Sequence, residues 1–345
     1  MGKNQVLRTV KDIDVQGKRV LLRMDLDVPL TKFKIVDDTR LINTLPTIRY
    51  LLDKQAKVTM IGHLGRPLKN SKLSLNPVRR WYEEWLVGYK NWELWENLRF
   101  DPGEEANLQS FAKDIVRRSS ADLYIFEAFA TAHEPHASVI SVPKLVRETV
   151  VGFRFAEEIR NLSKIWQNPK RPMMLVLGGS KIDTKISLIP KLAEQADEVL
   201  IGGLLPTKLG SVCLPGGGCI TAAKLTGEGL DITEESARMF ADKIMTAGTV
   251  VWNGPVGAYE RADKEEGRRK KEEGGYKNTP AWGTYIVAKA MRETGAFTVA
   301  GGGDTEAGLT KLGGSEGIDW ISSGGGAMLY YLAYHTLPFL EAIKG

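Results

Sequence analysis

Residues 172–190 read PMMLVLGGSKIDTKISLIP. An apolar run ends in two glycines, and a helical pattern follows at once. Short continuous apolar strands that alternate with helices belong to parallel sheets covered on both faces. The same grammar recurs down the chain. EVLI (198–201) precedes GG, TVVW (249–252) precedes NGPVG, FTVA (297–300) precedes GGGDT, and DWIS (319–322) precedes SGGGA. Toward the N-terminus, KRVLLR (18–23) leads into DLDVPL, KVTMI (57–61) into HLGRP, and DLYIF (122–126) into EAFATAHEPHAS. Residues 39–54, TRLINTLPTIRYLLDK, carry helical periodicity, with Pro46 marking a local adjustment. The expected fold is α/β. Ligands of such sheets sit beyond the carboxyl ends of the strands, so every loop named here lies at a candidate binding edge.

The chain has 345 residues, enough for about two domains at roughly 150 residues each. Between the two sets of strands lies GFRFAEEIRNLSKIWQ (152–167), where Ala156, Ile159, Leu162, Ser163 and Trp166 follow helical spacing. This reads as an interdomain helix. A composition of 43% hydrophobic and 26% charged residues excludes a disordered or fibrous chain. Glycine is abundant, at 36 residues, and clustered, which points to Gly-rich binding loops. Two cysteines, Cys213 and Cys219, cannot make a disulfide framework, and their spacing is neither a zinc nor a thioredoxin signature. No apolar run reaches the ~18 residues of a membrane span, and the N-terminus has no apolar signal core. The expectation is a soluble, cytoplasmic protein without a membrane partner.

Charge is unevenly spread. Residues 1–170 carry 28 basic and 21 acidic residues, and residues 171–345 carry 19 and 21. A basic N-terminal half suits a small anionic ligand or nucleic acid. The mixed-sign stretch 260–278, ERADKEEGRRKKEEGGYKN, reads as a solvated surface insertion rather than a nucleic-acid patch.

Gly178 and Gly179 offer backbone N–H groups at a strand-to-helix turn, a natural phosphate cradle. Lys181 and Lys185 follow, four apart, at the expected helix start. Two cations there repel one another and oppose the helix dipole, and a bound phosphate would reverse both effects. No GxxxxGK[ST] motif occurs, so this is not a P-loop. In GGGDTEAG (301–308), Asp304 is placed either to cap a helix or to hold Mg²⁺ bridging nucleotide phosphates. SSGGGA (322–327) offers a further N–H nest. Glu260, in WNGPVGAYE (252–260), could bind ribose hydroxyls. Arg23, Arg40, His63 and Arg66 lie at or near strand ends of the first half, with Arg171 just before the first strand of the second. Arginine forks suit phosphate and carboxylate recognition. Asp25 and Asp27 read as a loop-capping pair or a carboxylate pair. His133 and His136 make a weak metal case.

Taken in order, these segments resemble phosphoglycerate kinase. The motifs are RMDLDVPL, DDTR (37–40), GHLGRP (62–67), ENLRF (96–100), EAFATAHEPHAS (127–138), NPKRPMMLVLGGSKIDTKI (168–186), VWNGPVGAYE, GGGDT and SSGGGAM. They span nearly the whole chain. The resemblance implies two Rossmann-like domains facing across a cleft. Residues 1–151 would bind phosphoglycerate, 152–168 would form the interdomain helix, 169–328 would bind nucleotide, and 329–345 would pack back on the first domain. It implies reversible phosphoryl transfer between 1,3-bisphosphoglycerate and Mg-ADP, giving 3-phosphoglycerate and Mg-ATP in glycolysis, by a monomer without nucleic-acid partners.

Residue by residue, the resemblance implies that Arg23, Asp25, Asp27, Arg40, His63, Arg66 and Arg171 hold the acid. Arg40 and Lys181, with Gly303 and Gly326, would act on the transferring phosphoryl group. Gly179, Lys181, Lys185, Asn253, Gly254, Pro255, Glu260, Gly302, Gly303, Thr305, Gly324 and Gly325 would contact the nucleotide, with Asp304 holding Mg²⁺. Some positions depart from the family pattern. Asp27 stands for the usual Asn, Glu127 for Asp, and AHE for AHR, so that Glu134 replaces a substrate-binding arginine. Glu134 could turn away and Arg154 substitute. GGSK stands for GGAK, Thr184 for an acidic residue, and GGLLPTK for the usual GGG motif after EVLI. These departures leave two alternatives, a paralogue with a changed acceptor and a non-catalytic nucleotide-binding protein.

Overall fold

The computed structural model describes residues 7–67, 73–261, 276–277 and 279–344. The surface insertion expected at 260–278 falls almost entirely outside the described residues. The chain divides into two compact units, Met1–Arg160 with Thr336–Gly345, and Asn161–His335. The division passes through the helix Phe153–Gln167, so the helix expected at 152–167 contributes to both units. No described helix is long and apolar enough to cross a membrane.

The first unit holds strands β1 (Arg19–Arg23), β2 (Leu30–Thr31), β3 (Lys34–Ile35), β4 (Lys57–Ile61), β5 (Trp92–Leu94), β6 (Leu123–Phe126) and β7 (Thr149–Val151). β2 and β3 form a small hairpin. The other five make one parallel sheet in the order β5-β4-β1-β6-β7. β1, β4 and β6 match the expected strands within a residue. β5 and β7 were not anticipated; each has only three residues, too few to show a period. Parallel pairing puts all five carboxyl ends on one edge, which is why the loops after β1, β4 and β6 can share a ligand.

The helix Thr39–Asp53 buries Leu41, Leu45, Ile48, Leu51 and Leu52 against this sheet. It runs through Pro46 unbroken. Pro46 is on the exposed face, where its missing N–H costs the helix one hydrogen bond without opening the core. Phe126, at the end of β6, stacks on Phe339 at 4.0 Å, and Phe155 meets both edge-on. Phe339 N–H also donates to the Ala132 carbonyl at 3.1 Å. The last ten residues thus belong to the first unit through an aromatic core.

The second unit holds β8 (Met173–Leu177), β9 (Glu198–Ile201), β10 (Val212–Cys213), β11 (Cys219–Ala222), β12 (Thr249–Asn253), β13 (Phe297–Gly301) and β14 (Trp320–Ser322). Their order is β10-β11-β9-β8-β12-β13-β14, and all pairs are parallel except β10 with β11. The central β8 and β12 are buried at every residue, as their unbroken apolar runs require. Phe240 and Ile244 of the helix Glu234–Met245 and Val287 and Met291 of the helix Trp282–Glu293 fill one core with the sheet.

One finding departs from the cysteine reading. Cys213 and Cys219 are cross-strand partners on β10 and β11 and form a disulfide. Sequence spacing could not show this, because the turn between them brings their Cα atoms to 4.0 Å.

Candidate functional site

In the second unit, four loops converge at the carboxyl edge of β8, β12, β13 and β14. Gly178 N–H donates to the Asn253 carbonyl at 2.9 Å, and Gly179 N–H to the Pro255 carbonyl at 2.6 Å. Gly254 N–H donates to Thr305 Oγ1 at 2.7 Å, and that hydroxyl donates to the Gly301 carbonyl at 2.9 Å. Asn253 Nδ2 donates to the same carbonyl at 2.6 Å. Asn253 is therefore a brace between loops.

The glycines are required by these approaches. Gly179, Gly254 and Gly302 have φ of 86°, 88° and 101°, where L side chains are strained. A Cβ on Gly254 would fall on the Gly178 backbone, and one on Gly302 would come 2.9 Å from Asn253 Nδ2. Gly302 caps the helix Gly303–Lys311, and Gly324 caps the helix Gly325–Tyr334, so both helices open at this edge. Helix N-termini present unpaired N–H groups and a positive dipole end, a setting for phosphate oxygens.

The lysines divide into two kinds. Lys185 is largely buried, and its Nζ donates to the carbonyls of Gly178 and Asn253. Burial pushes its pKa down to about 8, partly opposed by the Asp304 charge. Lys181 is 75% exposed and precedes the short helix Asp183–Ile186 rather than lying on it; its Nζ is 3.9 Å from Asp304 Oδ2. The expected opposition of two lysines to a helix dipole is therefore not found: Lys181 lies before the helix and Lys185 in its last turn, where a cation is favoured. Asp304 is not the helix cap either: Gly302 holds that position, and Asp304, in the first turn, makes no capping hydrogen bond. Its carboxylate is 60% exposed beside the cradle. Among the described residues no three His, Cys, Asp or Glu side chains could hold a metal together. A cation here would rest on Asp304, nucleotide phosphates and water, a ligand set that suits Mg²⁺. Glu260 sits in the turn Tyr259–Arg261, whose carbonyls accept from Lys311 at the far end of the helix that Gly303 opens.

In the first unit, the carboxyl edge of β1, β4 and β6 gathers side chains rather than backbone. Arg23 is fully buried; its Nε donates to Ser138 Oγ at 3.0 Å, its Nη1 to the Met24 carbonyl, and its Nη2 to His63 Nδ1 at 3.0 Å. Ser138 in turn bonds the buried Glu104 through both its N–H and its hydroxyl. Burial, then the charges of Arg23 and Arg99, hold the His63 pKa well below its ordinary value. His63 is thus a neutral imidazole that accepts at Nδ1 and carries its proton on Nε2, toward Asp27 Oδ2 at 3.8 Å. Arg40 Nη1 donates to Asp25 Oδ1 at 2.9 Å, and Asp25 Oδ2 is buried without a hydrogen bond. Asp27 accepts the Gly65 N–H at 2.7 Å. Arg66 is exposed.

Arg171 does not join this group. It stands at the amino end of β8, the edge opposite the glycine loops, and its Nη1 donates to Asp197 Oδ2 at 3.0 Å. The arginine that the structure places in this group instead is Arg99, which sequence reasoning passed over. Arg99, 5% exposed, donates from Nη1 to the Gly65 carbonyl and from Nη2 to Glu134 Oε2, at 2.9 and 3.1 Å. The motif ENLRF that contains it was visible, but nothing in its spacing marked the arginine. Glu134 does not turn away, and Arg154 does not replace it: Arg154 Nη2 donates to the buried Glu158 at 3.0 Å. His133 and His136 are both pushed down to about 4, first by burial. Glu127 is buried; it accepts from the Thr47 hydroxyl and from the N–H groups of Arg154 and Phe155 at 3.1 and 3.0 Å, anchoring the start of the helix Phe153–Gln167.

A family model described as phosphoglycerate kinase matches residues 10–209 and 219–334. The phosphoglycerate kinases of Clostridium kluyveri and Clostridium tetani are each 32% identical to the chain, over 98% of both sequences. Among solved structures, phosphoglycerate kinases from Pyrococcus horikoshii OT3 and Coxiella burnetii superpose with TM-scores of 0.79 and 0.75. Each is 27% identical and covers 98% of both chains.

Proposed function

Because the chain belongs to the phosphoglycerate kinase family, we infer its activity and propose how its residues carry it. It is a phosphotransferase with a carboxyl group as acceptor. It moves a phosphoryl group reversibly between 1,3-bisphosphoglycerate and ADP, giving 3-phosphoglycerate and ATP in glycolysis. The observation that carries the division of labour is the four-loop glycine cradle of the second unit with its two lysines.

In this scheme the nucleotide phosphates lie against the N–H groups that open the helices at Gly303 and Gly325. Lys185, held by two carbonyls, is a positioned charge for a phosphate. Lys181, exposed and loosely paired, is free to follow the transferring phosphoryl group and neutralise it. Such a contact strengthens in the transition state, which is what lowers a barrier. Asp304 would hold Mg²⁺, which supplies neutralisation of phosphate charge when bound. Glu260 would meet the ribose. The acid would bind in the first unit, its anionic groups facing Arg23, Arg66, Arg99 and the Nε2 proton of His63, with Arg40, positioned by Asp25, at the reacting carboxyl end. Every ligand in the scheme comes from one chain, so a monomer suffices, and a cytoplasmic location fits its substrates.

A coupled assay with Mg-ATP and 3-phosphoglycerate tests the scheme. The wild type turns over. Lys181→Ala loses about 100-fold or more in kcat, the scale of removing one group that stabilises transition-state charge, while calorimetric affinity for Mg-ADP changes little. An unchanged kcat removes Lys181 from the mechanism.

A further inference from the structure

The pocket of the first unit contains a negative charge where an anion should bind. Glu134, its side chain 22% exposed, sets Oε2 3.1 Å from Arg99 Nη2. It also lies 3.3 Å from His136 Nδ1, but His136 is neutral, so the charge it answers is that of Arg99. Of the other nitrogens of that guanidinium, Nη1 donates to the Gly65 carbonyl, and Nε, buried without a hydrogen bond, lies 3.1 Å from Glu105 Oε1 as an ion pair. A guanidinium has only five donors in a fixed fork. A phosphate that approaches the Nη2 edge therefore meets the Glu134 carboxylate already in contact with it, and competes with that charge for the guanidinium.

We propose that Glu134 is an internal competitor for the phosphate-bearing acid: it occupies Arg99 until substrate displaces it, and so sets the affinity of this enzyme for that substrate. The proposal rests on reading the first unit as the acid site. It makes Glu134 a specificity-determining residue, since an acid with less negative charge at that end gains less from its removal.

The surroundings also give the competitor a pH response. Burial raises the Glu134 pKa. Arg99, Arg23 and Arg66 oppose the rise, and Glu105 adds to it. His136 and His133, on the same loop, stay neutral above about pH 4. As pH falls, protonation of Glu134 frees Arg99 and strengthens substrate binding relative to a variant that has no carboxylate there.

The test is calorimetric titration of 3-phosphoglycerate into wild type, Glu134→Gln and Glu134→Ala at pH 5.5, 6.5 and 7.5. Mg-ADP is titrated as a check on folding, and kcat and KM are measured in parallel. At pH 7.5 both variants bind about tenfold tighter, with KM lowered and kcat unchanged, the scale of a partly desolvated charge contact. That advantage shrinks toward pH 5.5 as the wild-type carboxylate protonates. A merely structural residue would lower thermal stability and move kcat and KM without this pattern. A gain below threefold in both variants overturns the proposal while leaving the acid site standing. If none of the three proteins binds 3-phosphoglycerate although all bind Mg-ADP, the acid-site reading falls and the proposal with it.

Discussion

The two candidate sites occupy the same place in the same kind of sheet, yet they are made of different material. In the second unit the cradle is backbone. Glycines at positive φ let four loops touch, and helix N-termini supply the donors. Two of its charged groups, Lys181 and Asp304, stand exposed at the rim, and the third, Lys185, is held by loop carbonyls. In the first unit the pocket is built of side chains, and three of its arginines are already engaged: Arg23 with Ser138 and His63, Arg40 with Asp25, Arg99 with Glu134. A backbone cradle changes only if its glycines change, whereas a side-chain pocket can be retuned by one substitution. The departures Asp27 and Glu134 fall among the side chains of the first unit, whereas Thr184 and GGLLPTK, in the second, lie outside its four glycine loops.

The comparison breaks most visibly at Gly254. Gly254→Ala places a Cβ on the Gly178 backbone at φ 88°. The expected cost is about 1–3 kcal/mol of stability, with loss of most nucleotide affinity and little change in 3-phosphoglycerate affinity. Thermal melts and calorimetry check this. Retained Mg-ADP affinity would mean that the cradle is not backbone-limited.

A sharper contrast is electrostatic. Lys185 is pushed down to about 8, so its positive charge is complete well below pH 8 and is lost as pH rises through that value. Nucleotide affinity should fall several-fold between pH 7 and 9, and Lys185→Arg should flatten the fall, because arginine stays charged. The smallest effect is at Glu127, raised to about 7 by burial. A carboxyl whose folded pKa is raised contributes stability below about pH 4.5 that is lost as pH rises through about 7. Glu127→Gln should therefore gain in melting temperature relative to wild type from pH 5 to 8. A constant difference would show that the Glu127 charge is fully compensated by Thr47 and the two N–H groups.

Much of this was legible in advance. Eight strands were expected from apolar runs, and all eight formed, because burial on both faces leaves an unbroken run as its trace. The glycine loops were legible for a related reason: a loop that must carry positive φ or close approach can be written with few residues other than glycine. The short strands β5, β7, β10 and β11 were not legible, since their partners rather than their own residues make them strands. Asp304 was expected as a possible cap, but its neighbour Gly302 took that position by conformation.

Sequence by itself determined the fold class, the order of the loops, and the identity of the groups that can meet phosphate. Those properties are local: hydrophobic period, glycine and charge. Tertiary structure alone decided the pairings. It set Arg171 at the wrong edge and brought Arg99 in. It closed Cys213 on Cys219 across a hairpin. It also placed the Glu134 carboxylate on a nearly buried guanidinium 35 residues away in sequence. Whether a charge is free to bind a ligand depends on what else reaches it, and that is a property of the folded arrangement.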